Sequence, residues 1–342
     1  MRADGAALRC ALVCCAALLC AGRTTAGAPL IWQLEGEANT IWLMGSVHVL
    51  REDDYPLPAV YDQVYAAADS LVMELDLDDL HPLEAQRALT ARGRIASNDT
   101  LADLIGAEAW AAATMKARAI GIDIRRLAAI EPWYAALTVV QQRLLALGYD
   151  PAFGVDAHYA ATAAAEGKPV QGLETVDEQL AILDGMSPAI QSDFLLQALD
   201  DAAELDGEIE GMLAAWKSGD AAHLEETLLT GLKAFPALYE QLVVERNRRW
   251  AEKIAGFRRR PDDVLLIVGA LHLVGADSVV KMLRKQGFEV RRMRATGTGN
   301  QISIISKSSL PAPQSGQRHD SGTSSQRVRG GMPDSGSPFS SS

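Results

Sequence analysis

Val264-Leu265-Leu266-Ile267-Val268-Gly269-Ala270-Leu271-His272 decides the fold. Five large aliphatic residues run without a polar break from just after Pro261 to a glycine, which reads as a buried core strand. Gly269 permits a sharp departure or a close backbone approach at the strand end. His272 follows three residues later. An earlier stretch, Ile41-Trp42-Leu43-Met44-Gly45-Ser46-Val47-His48, has the same construction: apolar strand, glycine, two residues, histidine.

Working outward, Leu30–Leu34 and Thr40–Gly45, separated by Glu35-Gly36-Glu37-Ala38-Asn39, predict a β-hairpin. A helix is expected at about 57–69 and a strand over Ser70–Leu75. Another helix is expected at about 275–286, and a last strand over Phe288–Arg292. The middle, about 83–250, is rich in Ala and Leu with helical periodicity, interrupted by one strand candidate, Pro169–Glu174. Strands and helices alternate at both chain ends around this helical middle. The expected class is therefore α/β, with a central mixed or mostly parallel sheet and a helical insertion.

The termini read differently from the body. Arg2 and Arg9 precede an uncharged run, residues 10–20, followed by Ala26-Gly27-Ala28. That order is the pattern of a secretory signal over residues 1–28, so a periplasmic or secreted location is expected. The run is about half the ~20 residues a spanning helix needs, so no transmembrane span is expected in the mature chain. Cys20 leaves a lipoprotein open as the alternative. From about 306 to 342 the composition is Ser, Gly and Pro, which predicts a disordered tail after a folded body at 29–305. All four cysteines fall in the first 20 residues. Any metal in the body must therefore be held by His, Asp or Glu. The net charge of −12 argues against a nucleic-acid partner.

Chemistry-bearing residues gather at the ends of the apolar runs. His48 and His272 lie just past two of them. Glu74 ends Leu71-Val72-Met73, and Glu174 ends Val170-Gln171-Gly172-Leu173. A carboxylate there is costly unless it is paired or ligating. Ligands of open α/β sheets bind beyond the carboxyl ends of the strands. Taken singly, the histidines could be turn residues and Glu174 a helix-terminal charge. Together they form a set that could hold a divalent metal or act as a metal-free acid/base pair. In Gly154-Val155-Asp156-Ala157-His158, positions 156 and 158 do not share a helix face, so one can turn to the site and the other away. Arg246 and Asn247 lie in a charged helical run, where either could reach inward as an anion or carbonyl clamp.

Five segments carry a resemblance: IWLMGSVHVL, ADSLVMELD, GVDAHYAATAAAEGKPVQGLETVDEQL, LVVERNRRWAEKI and VLLIVGALHLVGADSVVKMLRKQGFEVRR. In this order they resemble the TraB/GumN family and are similar to the Tiki proteases. The resemblance implies a fold related to the erythromycin-esterase and ChaN-like proteins, and a metal-dependent hydrolase, peptidase-like, acting on a peptide or other small substrate. It implies His48, His272, Glu74 and Asp156 as metal ligands for Mn²⁺ or Co²⁺, with Zn²⁺ left open. It implies Glu74, Glu174, Arg246 and Asn247 as catalytic residues, with Arg246 on the oxyanion. The alternative is a non-catalytic binding protein for a peptide, a metallo-ligand or haem. Under the hydrolase reading His48, Glu74 and His272 should meet in one cleft.

Overall fold

The computed structural model describes residues 28–75 and 82–294, excepting the side chains of 82–86. The tail at 306–342 lies outside these residues, as do Cys20 and all but the last residue of the expected signal segment.

Six strands form one mixed sheet: β1 (Ile31–Glu35), β2 (Thr40–Ser46), β3 (Ser70–Leu75), β4 (Val170–Glu174), β5 (Val264–Gly269) and β6 (Val290–Arg292). Their order is β4-β3-β5-β2-β1-β6. Strands β4, β3, β5 and β2 run parallel, and β1 is antiparallel to both of its neighbours. Every residue of β2 and β5 is buried, which is why both read as unbroken apolar runs. The register sets Ser46 beside Gly269, Met73 beside Ile267, and Leu75 beside Glu174. The carboxyl ends of four strands therefore share one edge.

The helices are α1 (Ala59–Ala67), α2 (Pro82–Gly93), α3 (Leu101–Ala119), α4 (Pro132–Ala146), α5 (Val155–Glu166), α6 (Val176–Asp184), α7 (Pro188–Ser218), α8 (Ala221–Lys233), α9 (Pro236–Tyr239), α10 (Arg246–Phe257) and α11 (Val279–Lys285). A π-helical turn, Glu240–Glu245, joins α9 to α10. The fold class is α/β, and between β3 and β5 the described chain is mainly helical, with β4 entering the sheet from inside that region.

Glycines shorten α11 and β6 relative to expectation, and α1 loses about a residue pair at each end of its expected 57–69. Gly275 takes a left-handed conformation, φ 84°, and Ser278 caps α11 by accepting from the Lys281 N–H, so the helix starts at Val279 rather than about 275. Gly287, at φ 89°, ends it and delays β6 to Val290. The main core contains Trp42, Trp216 and Trp250 with the aliphatic residues of β2 and β5. Each fully buried Leu or Ile contributes about 1.5–3 kcal/mol. Trp216 also donates its indole N–H to the Gly45 carbonyl at 2.8 Å, satisfying a strand-end acceptor beside the site.

Candidate active site

Beyond Gly45 the chain leaves β2 and meets the start of α5. Their approach depends on Gly154, where a Cβ would stand 2.4 Å from the His48 carbonyl oxygen. The Val155 N–H donates to the Val47 carbonyl at 3.0 Å and fixes the two segments together. Asp156, in the first turn of α5, is thereby set against both ends of Ser46-Val47-His48. Its Oδ1 accepts from the Ser46 hydroxyl at 2.6 Å, and its Oδ2 lies 2.8 Å from His48 Nδ1. Nε2 of His48 is left to the cleft, with the side chain 61% exposed.

Glu74 reaches the same cleft from the next strand but one. Its Oε1 accepts from the Gly269 N–H at 2.8 Å, and its Oε2 accepts from Arg246 Nη2 at 2.8 Å. Gly269 is the floor between the two groups. A Cβ there would lie 3.2 Å from Glu74 Oε1 and 3.2 Å from His48 Nε2. The cleft has a volume of about 290 Å³ and is walled by His48, Met73, Glu74, Leu75, Asp156 and Gln179.

Behind Glu74 is a buried polar layer. The short helix Ala270–His272 after β5 folds the second histidine inward, leaving it 1% exposed and 4.5 Å, ring to ring, from Trp250. Asn247 donates to the Asp277 carbonyl at 2.8 Å, so its Oδ1 faces His272 Nδ1 at 2.7 Å. An amide oxygen only accepts, so the proton sits on Nδ1 and Nε2 is a bare acceptor. Arg246 Nη1 is 3.2 Å from that nitrogen and also donates to the Leu242 carbonyl at 3.1 Å, in the π-helical turn. Its Nε donates to Glu174 at 2.9 and 3.2 Å, and Nη2 to Glu174 at 2.5 Å as well as to Glu74. All five guanidinium N–H groups are used.

This arrangement separates the two histidines electrically. For His48, desolvation disfavours the charge, but the Asp156 carboxylate, its hydrogen bond and the Glu74 charge outweigh that and raise the ring to about 9. For His272, burial dominates and Arg246 adds to it, so the ring is pushed down to about 3 despite Glu74. Burial opposes the charge on Glu74, yet the surrounding positive groups and the Gly269 amide hold it below the usual carboxylate range. Since His272 is neutral, the groups that keep Glu74 ionised are Arg246, His48 and that amide.

The expected residues thus divide in two. His48, Asp156 and Glu74 line the cleft. Glu174, Arg246, Asn247 and His272 are buried behind it. Arg246 has no N–H left for a substrate oxyanion, which corrects the role expected for it. Asn247 positions His272 instead of reaching into the cleft. Nor do the expected ligands fit a divalent ion as arranged. Both Asp156 oxygens are committed, the His272 acceptor faces a guanidinium N–H, and an ion on Glu74 Oε2 would meet the same cation. Among the described residues no group of three or more His, Asp or Glu side chains is placed to hold a metal.

Two contributors escaped the sequence reading. Ser46, inside Gly45-x-x-His48, anchors Asp156. Gln179 donates to Glu174 at 2.7 Å and lies 3.4 Å from Glu74. The Thr175/Glu178 capping box was its available signal: it starts α6 directly at the strand end, and Gln179 falls in the first turn and a half. Of the 156/158 pair, Asp156 faces the site, while His158 packs beside Tyr55 and Tyr159 at 5.1 and 4.9 Å.

The model of the TraB/PrgY/gumN family matches residues 30–292. The uncharacterized protein YbaP of Escherichia coli (strain K12) is 25% identical over 245 residues, 71% of this chain and 87% of that protein. The Shigella flexneri protein of the same name matches to the same extent. A metalloprotease TIKI homolog from Amphimedon queenslandica is 34% identical over 88 residues, 25% of this chain and 15% of that protein. No solved structure matches. The chain belongs to the TraB/PrgY/gumN family.

Proposed function

We propose that this member of the TraB/PrgY/gumN family is an exported hydrolase, peptidase-like in substrate, that works through His48 and Glu74. One observation carries the reading: an imidazole raised in basicity and an ionised carboxylate face each other over the bare backbone of Gly269, in a cleft. Their environments push the two groups apart in proton affinity, the pattern of an acid and a base with separate tasks. The partial match to a protein named as a metalloprotease supports a peptide substrate. The signal-like residues 1–28 support export.

Glu74 takes a proton from a water whose oxygen attacks the scissile carbonyl carbon. His48, charged at neutral pH, gives its Nε2 proton to the leaving nitrogen as the C–N bond breaks. Asp156 holds the ring by Nδ1 and favours the imidazolium. A proton returning from Glu74 to His48 resets the pair. The products are a carboxylic acid and an amine. General acid–base assistance of this kind is worth about 10²–10⁴-fold.

The test is cleavage of a peptide library by the purified chain, after chelator and again with Mn²⁺, Co²⁺ or Zn²⁺ added. Cleavage should occur and be lost in both His48→Ala and Glu74→Gln. No cleavage in any condition, with peptide or haem retained in the cleft, would replace this reading with the binding-protein alternative.

A further inference from the structure

We infer that Arg246 is the resident cation of this site: its guanidinium occupies the position among Glu74, Glu174 and His272 that a divalent metal would need, and its removal opens a metal site. Oxygens of both glutamates and the bare Nε2 of His272 converge on one group at 2.5–3.2 Å. Two carboxylates and an imidazole are a donor set that Mn²⁺, Co²⁺ and Zn²⁺ accept. Even the outer support is of the metal-site kind. Asn247 accepts a hydrogen bond from Nδ1–H of His272 and aims the other nitrogen at the cation, as partners of metal-bound histidines do.

What holds these donors, however, is a fixed organic cation. Arg246 sets Nε and Nη2 together on Glu174 Oε1, with Nε also reaching Oε2, a spread of directed donors that a point charge does not reproduce. It also lies 4.7 Å from the face of Trp250. Metal bonds to oxygen and nitrogen are about 2.0–2.2 Å, shorter than all of these contacts, so an ion would have to displace the guanidinium before the donors could close on it. The inference rests on the hydrolase reading for one consequence alone: turnover by the native chain survives chelation.

The experiment is calorimetric titration of the chelator-stripped full chain with Mn²⁺, Co²⁺ and Zn²⁺ separately. The same titrations are run on Arg246→Met and on Arg246→Met with Glu174→Gln, which removes the buried charges together. The native chain should take up none of the ions, and its melting temperature should not respond to them. A folded variant should take up one equivalent and melt higher with the ion present. A further His272→Ala change should abolish that gain. One equivalent bound by the stripped native chain and lost in its His272→Ala form overturns the inference, as does a folded variant that takes up nothing. If neither variant folds, the native-chain titration decides. No peptide is present in these titrations, so failure of the hydrolase reading would appear in the cleavage assay and leave the uptake results as they are.

Discussion

The two Gly-x-x-His segments end adjacent parallel strands one residue out of step, with Ser46 and not Gly45 beside Gly269, and their histidines have opposite fates. After Gly45 the chain runs outward, is caught by the start of α5, and presents His48 to solvent beside a carboxylate. After Gly269 it coils into one tight turn and drives His272 under Trp250, against an amide and a guanidinium. The first ring gains a proton and the second refuses one. Sequence spacing sets where a side chain leaves the sheet; what packs above the strand end sets its chemistry.

If the buried half is structural support and the open half is chemistry, substitutions should separate stability from turnover. The largest effect is expected from Arg246→Met, which leaves two buried carboxylates without their cation. Breaking such a network costs about 3–5 kcal/mol, measurable by denaturant unfolding. A loss below ~1 kcal/mol would mean that the buried half is not what holds this edge together.

His48→Ala should do the reverse. Turnover on a cleaved peptide should fall about 10²–10⁴-fold, while stability, for so open a side chain, stays within roughly 0.5 kcal/mol. His272→Ala should destabilise by about 2–4 kcal/mol, because it opens a cavity and strands the Asn247 acceptor. Equal unfolding costs for the two histidines would erase the contrast.

Gly269→Ala probes the floor between the halves. Its backbone angles, φ −51° and ψ 135°, suit alanine, so the added methyl acts through space alone. At 3.2 Å from both reacting atoms it should push them apart by a few tenths of an ångström and cost about tenfold in turnover. Unchanged kinetics would show that the pair does not act across that gap.

The smallest effect is the alkaline limb of the pH dependence of stability, a dependence the two rings should bend in opposite directions. His48 is raised in the fold, so its contribution is complete below the ordinary value of 6.5 and is lost as pH climbs toward about 9. His272 is depressed, so its contribution is complete above 6.5 and is lost as pH falls toward about 3. Solvent screening should keep the His48 limb below ~1 kcal/mol. Denaturant melts of His48→Gln and His272→Gln across that range should flatten the alkaline and the acid limb respectively. Loss of the same limb in both would break the comparison.

The sheet was legible because β2 and β5 are buried along their whole length, so polar residues in them are confined to Thr40 and Ser46 at the ends of β2. Glu74 and Glu174 stood out for a related reason: each ends a run that would otherwise exclude charge. The division of labour was not legible. That Arg246 spends all its donors on the protein depends on Leu242, Glu174, Glu74 and His272 arriving from four separate segments. Gln179 was hidden for a similar reason, since its role comes from the start of α6 and not from its own type. The boundaries of α11 and β6 turned on Gly275 and Gly287, whose left-handed angles do not show in a composition.

The sheet order has one more consequence, in time instead of space. Strand β5 lies between β2 and β3, so the Gly269 amide that anchors Glu74 comes from a residue 195 positions later in the chain. A growing polypeptide can pair β1 with β2 early, but the cleft has no floor until nearly the whole body has been synthesised. Such long-range closure is slow compared with local helix formation. Until then the Gly269 amide is not beside Glu74, and the activity proposed for this chain is switched on by the completion of folding.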